Sequence, residues 1–450
     1  METSLLERYD RPVPRYTSYP TAPHFHSGIT ADTYRQWLGA VDPGTTVSLY
    51  LHIPYCDSLC WFCGCHTKIT RRYEPVAAYL EVLEQEIDRV ADALPDVMAV
   101  SRIHWGGGSP TILTPADIVR LAGRLDRRFR RLEGMELSVE IDPRDFDSET
   151  IEALARAGVT RASIGVQDVN PAVQRAVNRL QPIEGTRDAI AGLRAAGIAQ
   201  INLDLMYGLP KQTEAEIAAT VDAALALQPD RISLFGYAHV PWMKRHQRLI
   251  DETAMPDASA RFAQAELAAR MLVAAGYVRI GLDHFARPGD ALAEALRAGR
   301  LRRNFQGYTD DEADCLIGFG ASAIGCLPQG YVQNVVAIHA YRDVIRSGDL
   351  AVARGRALTA EDRVRRAVIE RLMCDLRVDL GAVAEAAGAG ETGFAEELKA
   401  LEPLAGDGIV TIEGEGVVTV PEPARPLLRT VAAVFDRYLG GGHARHSRPV

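Results

Sequence analysis

Four of the seven cysteines fall within ten positions, at Cys56, Cys60, Cys63 and Cys65, and the first three are spaced C-x3-C-x2-C. Clustered thiolates are soft ligands that select zinc or iron–sulfur clusters. A closed zinc site wants four ligands, commonly two C-x2–4-C pairs or a distant histidine pair. Here a fourth ligand could come from Cys65, His66 or His52. A four-iron cluster usually takes four thiolates, and three would leave one iron open for chemistry. The spacing favours iron–sulfur over zinc, and disulfides come last. An odd number of cysteines with four clustered argues against a disulfide framework and for a reducing cytoplasm.

The elements that must aim these thiols are legible in hydrophobic pattern. Thr46 to Ile53 is a β-branched and aromatic run that reads as a strand, and Pro54 ends it. Strands at 102–105, 136–141, 161–166, 200–206 and 231–236 follow. Between and after them come helices: Val76–Leu94 at helical spacing, then 115–129, 148–157, 170–178, 184–196, 213–226 and 257–275. Six β-α units in a row predict a parallel sheet with helices outside. In such sheets chemistry sits at the C-terminal ends of the strands. The motifs fall there in turn: the cysteine loop, Gly106-Gly107-Gly108-Ser109-Pro110, Glu140-Ile141-Asp142-Pro143-Arg144, Gln167, Asp204 and Ala238-His239.

Each motif has a plainer reading. Three glycines after a strand are often just a tight turn, although glycine also lets backbone groups approach a ligand. This loop is not G-x-G-x-x-G and lacks a following Lys-Ser/Thr, so dinucleotide and P-loop readings are weak. Arg179 could be a solvated helix-end charge, and Asp204 a cap or half of a buried pair. Cys315, Cys326 and Cys374 are isolated and read as buried structural thiols.

At 450 residues, 47% apolar and 24% charged, the chain is expected to fold as a large catalytic domain with smaller parts. A net charge of −9 weighs against a general nucleic-acid binder. No transmembrane run or signal peptide is evident. Residues 1–45 show little periodicity and read as a surface arm. Beyond about 355 a helix at 359–374 precedes small-residue helices, a hairpin over Gly408–Val420 and a last helix over about 424–439. A winged-helix, DNA-binding reading of this part is opposed by the acidic Glu413-Gly-Glu415. The tail from Gly440 to Val450 is expected to be disordered.

Cys56-x3-Cys60-x-Phe62-Cys63 resembles the signature of the radical S-adenosylmethionine superfamily. The fourth thiol, Cys65, and the segment Pro14–Ala22 resemble the oxygen-independent coproporphyrinogen III oxidases within it. So do Val139–Arg144, Ser163–Asp168, Val177–Arg179, Asp204–Thr213, Gly281–Ala286, Arg303–Tyr308 and Gly318–Ile324. That family usually has Thr where Ser109 stands, so the hydroxyl is kept. The resemblance implies a three-quarter TIM-like barrel of about six β-α units over 46–350. An N-terminal arm at 1–45 would lie near the active site, and a mainly helical cover domain would span 355–450. It implies a [4Fe-4S] cluster held by Cys56, Cys60 and Cys63 with one open iron. Tyr50, Phe62, Gly107, Glu140 and Ile324 would line the cluster-bound S-adenosylmethionine. Gly108, Ser109, Gln167, Arg179, Asp204 and Ala238 would surround a second one.

The implied activity is oxygen-independent decarboxylation of two propionates of coproporphyrinogen III to vinyl groups by a 5′-deoxyadenosyl radical, giving protoporphyrinogen IX in heme biosynthesis. It needs an electron donor for the cluster and an electron acceptor. The chain is expected to be a cytoplasmic monomer without nucleic-acid or membrane partners. His284, Arg287, Arg302 and Arg303 could meet the polyanionic substrate. The rival readings are a heme-binding chaperone of the same superfamily, a radical methyltransferase or ring-opening enzyme on a tetrapyrrole, and a zinc-stabilised interaction protein.

Overall fold

The computed structural model describes residues 5, 8–9, 11–388, 393–414 and 416–440. Glu415 and the tail beyond 440 lie outside the described residues, so the readings of an acidic hairpin tip and a disordered tail are not addressed there.

The expected strands form. They are β1 (Thr46–Ile53), β2 (Ala99–Gly107), β3 (Arg130–Ile141), β4 (Arg161–Gln167), β5 (Gln200–Tyr207) and β6 (Arg231–Gly236). Then come β7 (Val278–Ile280), β8 (His284–Ala286), β9 (Cys315–Phe319), β10 (Ile324–Leu327), β11 (Gly330–Asn334) and β12 (Val352–Ala357). They make one 12-stranded sheet in the order β12-β11-β10-β9-β1-β2-β3-β4-β5-β6-β8-β7. Strands β1 to β6 pair in parallel, and β9 adds a seventh parallel strand beside β1. The two ends of the sheet do not pair, so the barrel is open, as expected from its β-α count.

Helices pack outside the sheet, and those lying between successive parallel strands make the crossovers that parallel pairing requires. They are α1 (Ala31–Gly39), α2 (Glu74–Ala93), α3 (Pro115–Arg128), α4 (Ser148–Ala157), α5 (Pro171–Ala176), α6 (Ile183–Ala195), α7 (Glu214–Ala226) and α8 (Ala258–Ala274). Their starts are written in the sequence. Thr114 caps α3 with Pro115 in its first turn, and Thr213 with Glu216 forms a reciprocal capping box on α7. Along the strands every second side chain is apolar and packs outward against these helices: Leu49 and Leu51, Ile103 and Trp105, Leu137 and Val139, Leu203 and Leu205. The alternate positions, Tyr50, His104, Glu140, Ser163 and Asp204 among them, face the barrel interior. The sheet is therefore dry on one face and polar on the other.

The lower end of the interior is closed by charge. Arg102 and Arg161 pair Glu136 at 2.7 and 2.9 Å, Arg231 pairs Asp290 at 2.7 Å, and Arg102 also meets Asp310. Burial pushes Glu136 up, but the three arginines together pull its carboxyl down to about 2. Buried Glu86 of α2 accepts from Gly320 N, Tyr341 Oη and Asn334 Nδ2 at 2.6 to 2.7 Å, tying α2 to the loop between β9 and β10.

The C-terminal part has its own core around Val368, Leu372, Leu401, Leu427 and Phe435, to which Tyr16 and Tyr19 of the N-terminal arm contribute. The arm is thus not the surface strand of chain that its composition suggests: Tyr19 is buried, and Tyr16 Oη donates to Asp436 at 3.1 Å. The hairpin forms at 411–413 and 417–419 and gains a third strand, 377–379, that its short length had hidden. The single helix expected over 424–439 is instead a 3-10 turn, Glu422–Leu427, followed by a short α-helix, Leu428–Ala433. Pro423 and Pro426 lack the backbone N–H that an α-helix would use there.

Removing one partner of a buried ion pair is costly, so Glu136→Gln is expected to lower stability by about 3 kcal/mol at pH 7. The Glu136 carboxyl sits below its ordinary value of 4.5. Its contribution is therefore complete above pH 4.5 and is lost as the pH falls toward about 2. Urea denaturation of both proteins at several pH values checks this, and a difference that stays constant down to pH 3 would contradict it.

Candidate functional site

The thiol loop is clamped at both ends. Tyr55–Cys56 pairs with Lys68–Ile69, Lys68 N donates to Pro54 O at 2.7 Å, and Thr70 N donates to Cys56 O at 3.0 Å. Strand β2 holds it from the side through Gly108 N to Ile53 O (2.9 Å) and Ser109 N to Tyr55 O (2.7 Å). A Cβ on Gly108 would lie 2.3 Å from Tyr55 O, and Gly107 has φ +112°. The glycines are therefore required by this close approach as well as by the turn. The segment after β6 holds the loop's carbonyls: Gln247 Nε2 on Phe62 O (3.0 Å), His246 Nε2 on Cys63 O (2.8 Å) and Lys244 Nζ on Cys65 O (2.8 Å).

Cys56, Cys63 and Cys65 lie within electrostatic reach of one another. Burial, then the neighbouring Cys63, Asp142 and Cys60, push Cys56 up to about 12. Cys63 is drawn down by a hydrogen bond with Cys65, which is pushed up correspondingly. Such thiols ionise together only when a cation joins them. Arg179 Nη1 and Arg144 Nη2 approach Cys60 Sγ at 3.4 and 3.6 Å, so two guanidinium groups donate toward this sulfur. Among the described residues, no three His, Cys, Asp or Glu side chains converge tightly enough to hold a single metal ion. In a cluster, by contrast, each thiolate has its own iron.

The histidines considered as fourth ligands are engaged elsewhere. His52 accepts from Tyr50 Oη at Nδ1 (3.0 Å) and donates from Nε2 to His66 O (3.0 Å). His66 Nε2 donates to Val336 O at 2.7 Å.

Above the charged floor lies an interior cavity of about 210 Å³ lined by Tyr50, Glu140, Asp204, His104, Ser163 and His284, among others. Register explains the grouping, since Tyr50 stands beside His104 and Gly165 beside Asp204. Tyr50 stacks on His104 with ring centroids 5.7 Å apart. Glu140 accepts from His104 Nε2 (3.2 Å) and from Gly107 N (3.0 Å). Burial raises its pKa, but these hydrogen bonds win and hold the carboxyl below its usual range. Asp204 accepts from Ser163 Oγ (3.0 Å) and Asn202 Nδ2 (2.9 Å), yet burial and then the Glu140 charge leave it above the usual range.

Gln167 and Arg179 meet over Gly165, where an added Cβ would lie 3.0 Å from Gln167 Nε2 and 3.1 Å from Arg179 Nη2. Gln167 has φ +67°, a left-handed conformation unusual for this residue type. Arg179 is no solvated helix-end charge. It is buried, donates to Gly165 O at 2.7 Å, and pairs Asp142 at 3.1 Å. Phe62 packs beside Val173, Val177 and Leu209. Ala238, at the end of β6, lines a separate cavity at the barrel mouth. Ile324, at the start of β10, packs with Phe25 and Tyr331.

Two basic positions go elsewhere. Arg287 Nε caps Pro229 O at 2.9 Å, at the end of the barrel opposite the mouth, and Arg302 pairs Glu370 at 3.3 Å. Cys315, Cys326 and Cys374 are buried and unpaired, as expected. His104 and the 244–247 segment escaped the sequence reading, as did the contact of Arg144 with Cys60. The alternation of polar with apolar residues in β2 would have picked out His104. Nothing local marks the contacts of Arg144 or the 244–247 segment, because their partners are 84 to 185 residues away.

Residues 50–224 match the radical SAM superfamily. The chain is 50% identical over 438 residues to the oxygen-independent coproporphyrinogen III oxidase of Bradyrhizobium diazoefficiens, covering 97% of each chain. It is 47% identical to the protein of the same name from Paracoccus denitrificans, covering 98% of this chain and 99% of that one. The solved structure of coproporphyrinogen III oxidase from Escherichia coli, a radical SAM enzyme, superposes with a TM-score of 0.91 at 40% identity. That match covers 97% of this chain and 99% of the other.

Gly108→Ala would force the cysteine loop off the end of β2. Iron bound per chain after reconstitution is expected to fall severalfold, whereas Gly185→Ala, whose Cβ would meet nothing within 4 Å, retains it. Equal iron in both variants would show that the contact does not position the thiols.

Proposed function

We infer that this chain, which belongs to the oxygen-independent coproporphyrinogen III oxidases of the radical SAM superfamily, converts two propionates of coproporphyrinogen III to vinyl groups. Each conversion removes a hydrogen atom from the propionate β-carbon, carbon dioxide and one electron, and two of them yield protoporphyrinogen IX. The observation that carries this reading is near-full-length identity to proteins of that name, combined with a three-cysteine loop at the mouth of the barrel.

Radical SAM membership entails a [4Fe-4S] cluster and S-adenosylmethionine. When bound, they supply a carbon radical able to take hydrogen from an unactivated carbon. Cys56, Cys60 and Cys63 would hold the cluster, with Arg179 and Arg144 donating to the Cys60 sulfur. Tyr50, Phe62, Gly107, Glu140 and Ile324 would border the first S-adenosylmethionine, whose ammonium suits the Glu140 carboxylate. Gly108, Ser109, Gln167, Arg179, Asp204 and Ala238 would border a second, with Asp204 suited to ribose hydroxyls. The placement of Tyr50, Glu140 and Asp204 around one cavity inside the barrel supports these roles.

The division into arm (1–45), barrel (46–350) and cover (355–450) is supported by the separate C-terminal core. A reducing compartment, the cytoplasm, suits seven unpaired cysteines. No described helix is long and apolar enough to cross a membrane. The electron donor and acceptor lie outside the chain.

The test is anaerobic. Protein reconstituted with iron and sulfide is given reductant, S-adenosylmethionine and coproporphyrinogen III, and products are followed by mass. Protoporphyrinogen IX with 5′-deoxyadenosine is expected. Heme binding without decarboxylation would instead favour the chaperone. Replacing Cys56, Cys60 or Cys63 with Ala is expected to abolish iron and sulfide binding, while Cys65→Ala retains it. Iron loss confined to Cys65→Ala would overturn the ligand assignment.

A further inference from the structure

The barrel mouth adjoins two cavities that share one wall. One, of about 380 Å³, is lined by the ends of β5 and β6 (Tyr207, Ala238), by Arg15 of the arm, by Arg429 of the C-terminal part and by Arg303. The other, of about 500 Å³, is lined by Tyr16–Tyr19, Phe305, Arg366 and again Arg303. Arg303 therefore stands where arm, barrel and C-terminal part meet.

The Arg303 guanidinium lies 4.3 Å over the ring of Tyr308, which fixes its plane. Its Nη2 donates to Arg15 O at 3.2 Å. Its Nε and Nη1 are buried with no hydrogen-bond acceptor among the described residues. A buried guanidinium left short of acceptors is destabilising unless a partner arrives. The local charge balance also favours an anion. Arg15, Arg261, Arg279, Arg303 and Arg429 line the first cavity against only Asp283 and Glu266. Glu266 is taken by Arg279 at 3.2 Å and Asp283 by His284 at 2.8 Å. Among the described residues neither Arg15 nor Arg303 has a carboxylate within ion-pair distance. Arg429 is pulled down to about 10, first by burial and then by the charge of Arg15, with Arg303 adding to it. An incoming carboxylate relieves that repulsion.

We propose that Arg303, assisted by Arg15, is a carboxylate-gripping site that receives a propionate side chain of the substrate at the barrel mouth. The proposal rests on the function inferred above. A guanidinium held flat by an aromatic ring is pre-organised for the planar, bidentate geometry of a carboxylate. Because Arg15 belongs to the arm and Arg303 to a two-stranded hairpin of 302–304 with 307–309, a bound propionate also pins the arm over the mouth. The methionine carboxylate of S-adenosylmethionine shares this chemistry, so the test separates the two.

The experiment measures equilibrium binding of coproporphyrin III, the stable oxidised tetracarboxylate, and of its tetramethyl ester by porphyrin fluorescence. The proteins are reconstituted wild type, Arg303→Gln and Arg15→Gln. Binding of S-adenosylmethionine is measured in parallel. The expected result is a tenfold or larger rise in Kd for the tetracarboxylate in Arg303→Gln and a smaller rise in Arg15→Gln. Ester affinity, S-adenosylmethionine affinity and iron content stay as in the wild type. Turnover then shows a raised KM with kcat less changed. Unchanged coproporphyrin affinity in both variants overturns the proposal, as does a loss confined to S-adenosylmethionine. Arg15 is exposed, so its variant keeps the test open if Arg303→Gln does not fold. Failure of the functional reading is separate: it appears as wild-type protein that makes no protoporphyrinogen.

Discussion

Two backbone hydrogen bonds, Gly108 N to Ile53 O and Ser109 N to Tyr55 O, join the loop that carries the thiols to the strand beside it. They extend the parallel pairing of β1 and β2 past the last regular residue, and they exist only because no side chain stands at Gly108. Much of the site hangs from this contact. It sets where Cys56 begins its turn, and the adjoining Gly107 N donates to Glu140 across on β3. Three consecutive strands are thereby locked at their C-terminal ends. The 244–247 segment then closes over carbonyls that the strand could not reach.

Below that lock the interior is polar in layers. Burying arginines and carboxylates costs desolvation, and the structure offsets this by pairing nearly all of them at the floor. Higher up the pairing is looser. Glu140 and Asp204 share one small cavity and are pushed in opposite directions, one below and one above the ordinary carboxylate range, because Glu140 has a histidine and a backbone N–H while Asp204 has neutral donors and a charged neighbour. Two interior carboxylates held on opposite sides of their ordinary range, close to the thiol loop, suit the ligand-binding role proposed for them.

The mouth is assembled from distant parts of the chain. The arm lends Tyr16 and Tyr19 to the C-terminal core and Arg15 to the cavity, so the segment that helps anchor the cover also faces the opening. Arg15 and Tyr16, adjacent in sequence, thus serve the opening and the C-terminal core respectively.

The parallel strands, the helices between them and the thiol loop were determined by sequence alone, because they rest on local signals: alternation in strands, 3.6-residue periodicity, caps such as Thr114 and Thr213, and four cysteines within ten positions; the open, three-quarter barrel was what the family resemblance implied. Grouping the candidate residues by strand end was also legible, since chain order and strand direction suffice to place them at one end. What only the tertiary structure decided are the pairings made across the barrel. β9 joins β1 after some 260 residues of intervening chain. Arg179 and Arg144 turn to Cys60, His52 and His66 turn away from the metal-binding role their proximity suggested, Arg287 points to the opposite end, and Tyr16 and Tyr19 of the arm are buried. The C-terminal helix broke where Pro423 and Pro426 withheld backbone donors, a signal present in the sequence but outweighed by its apolar period. Hydrogen bonds and ion pairs between elements depend on the distance and direction of side chains brought together by folding, and no local pattern encodes them.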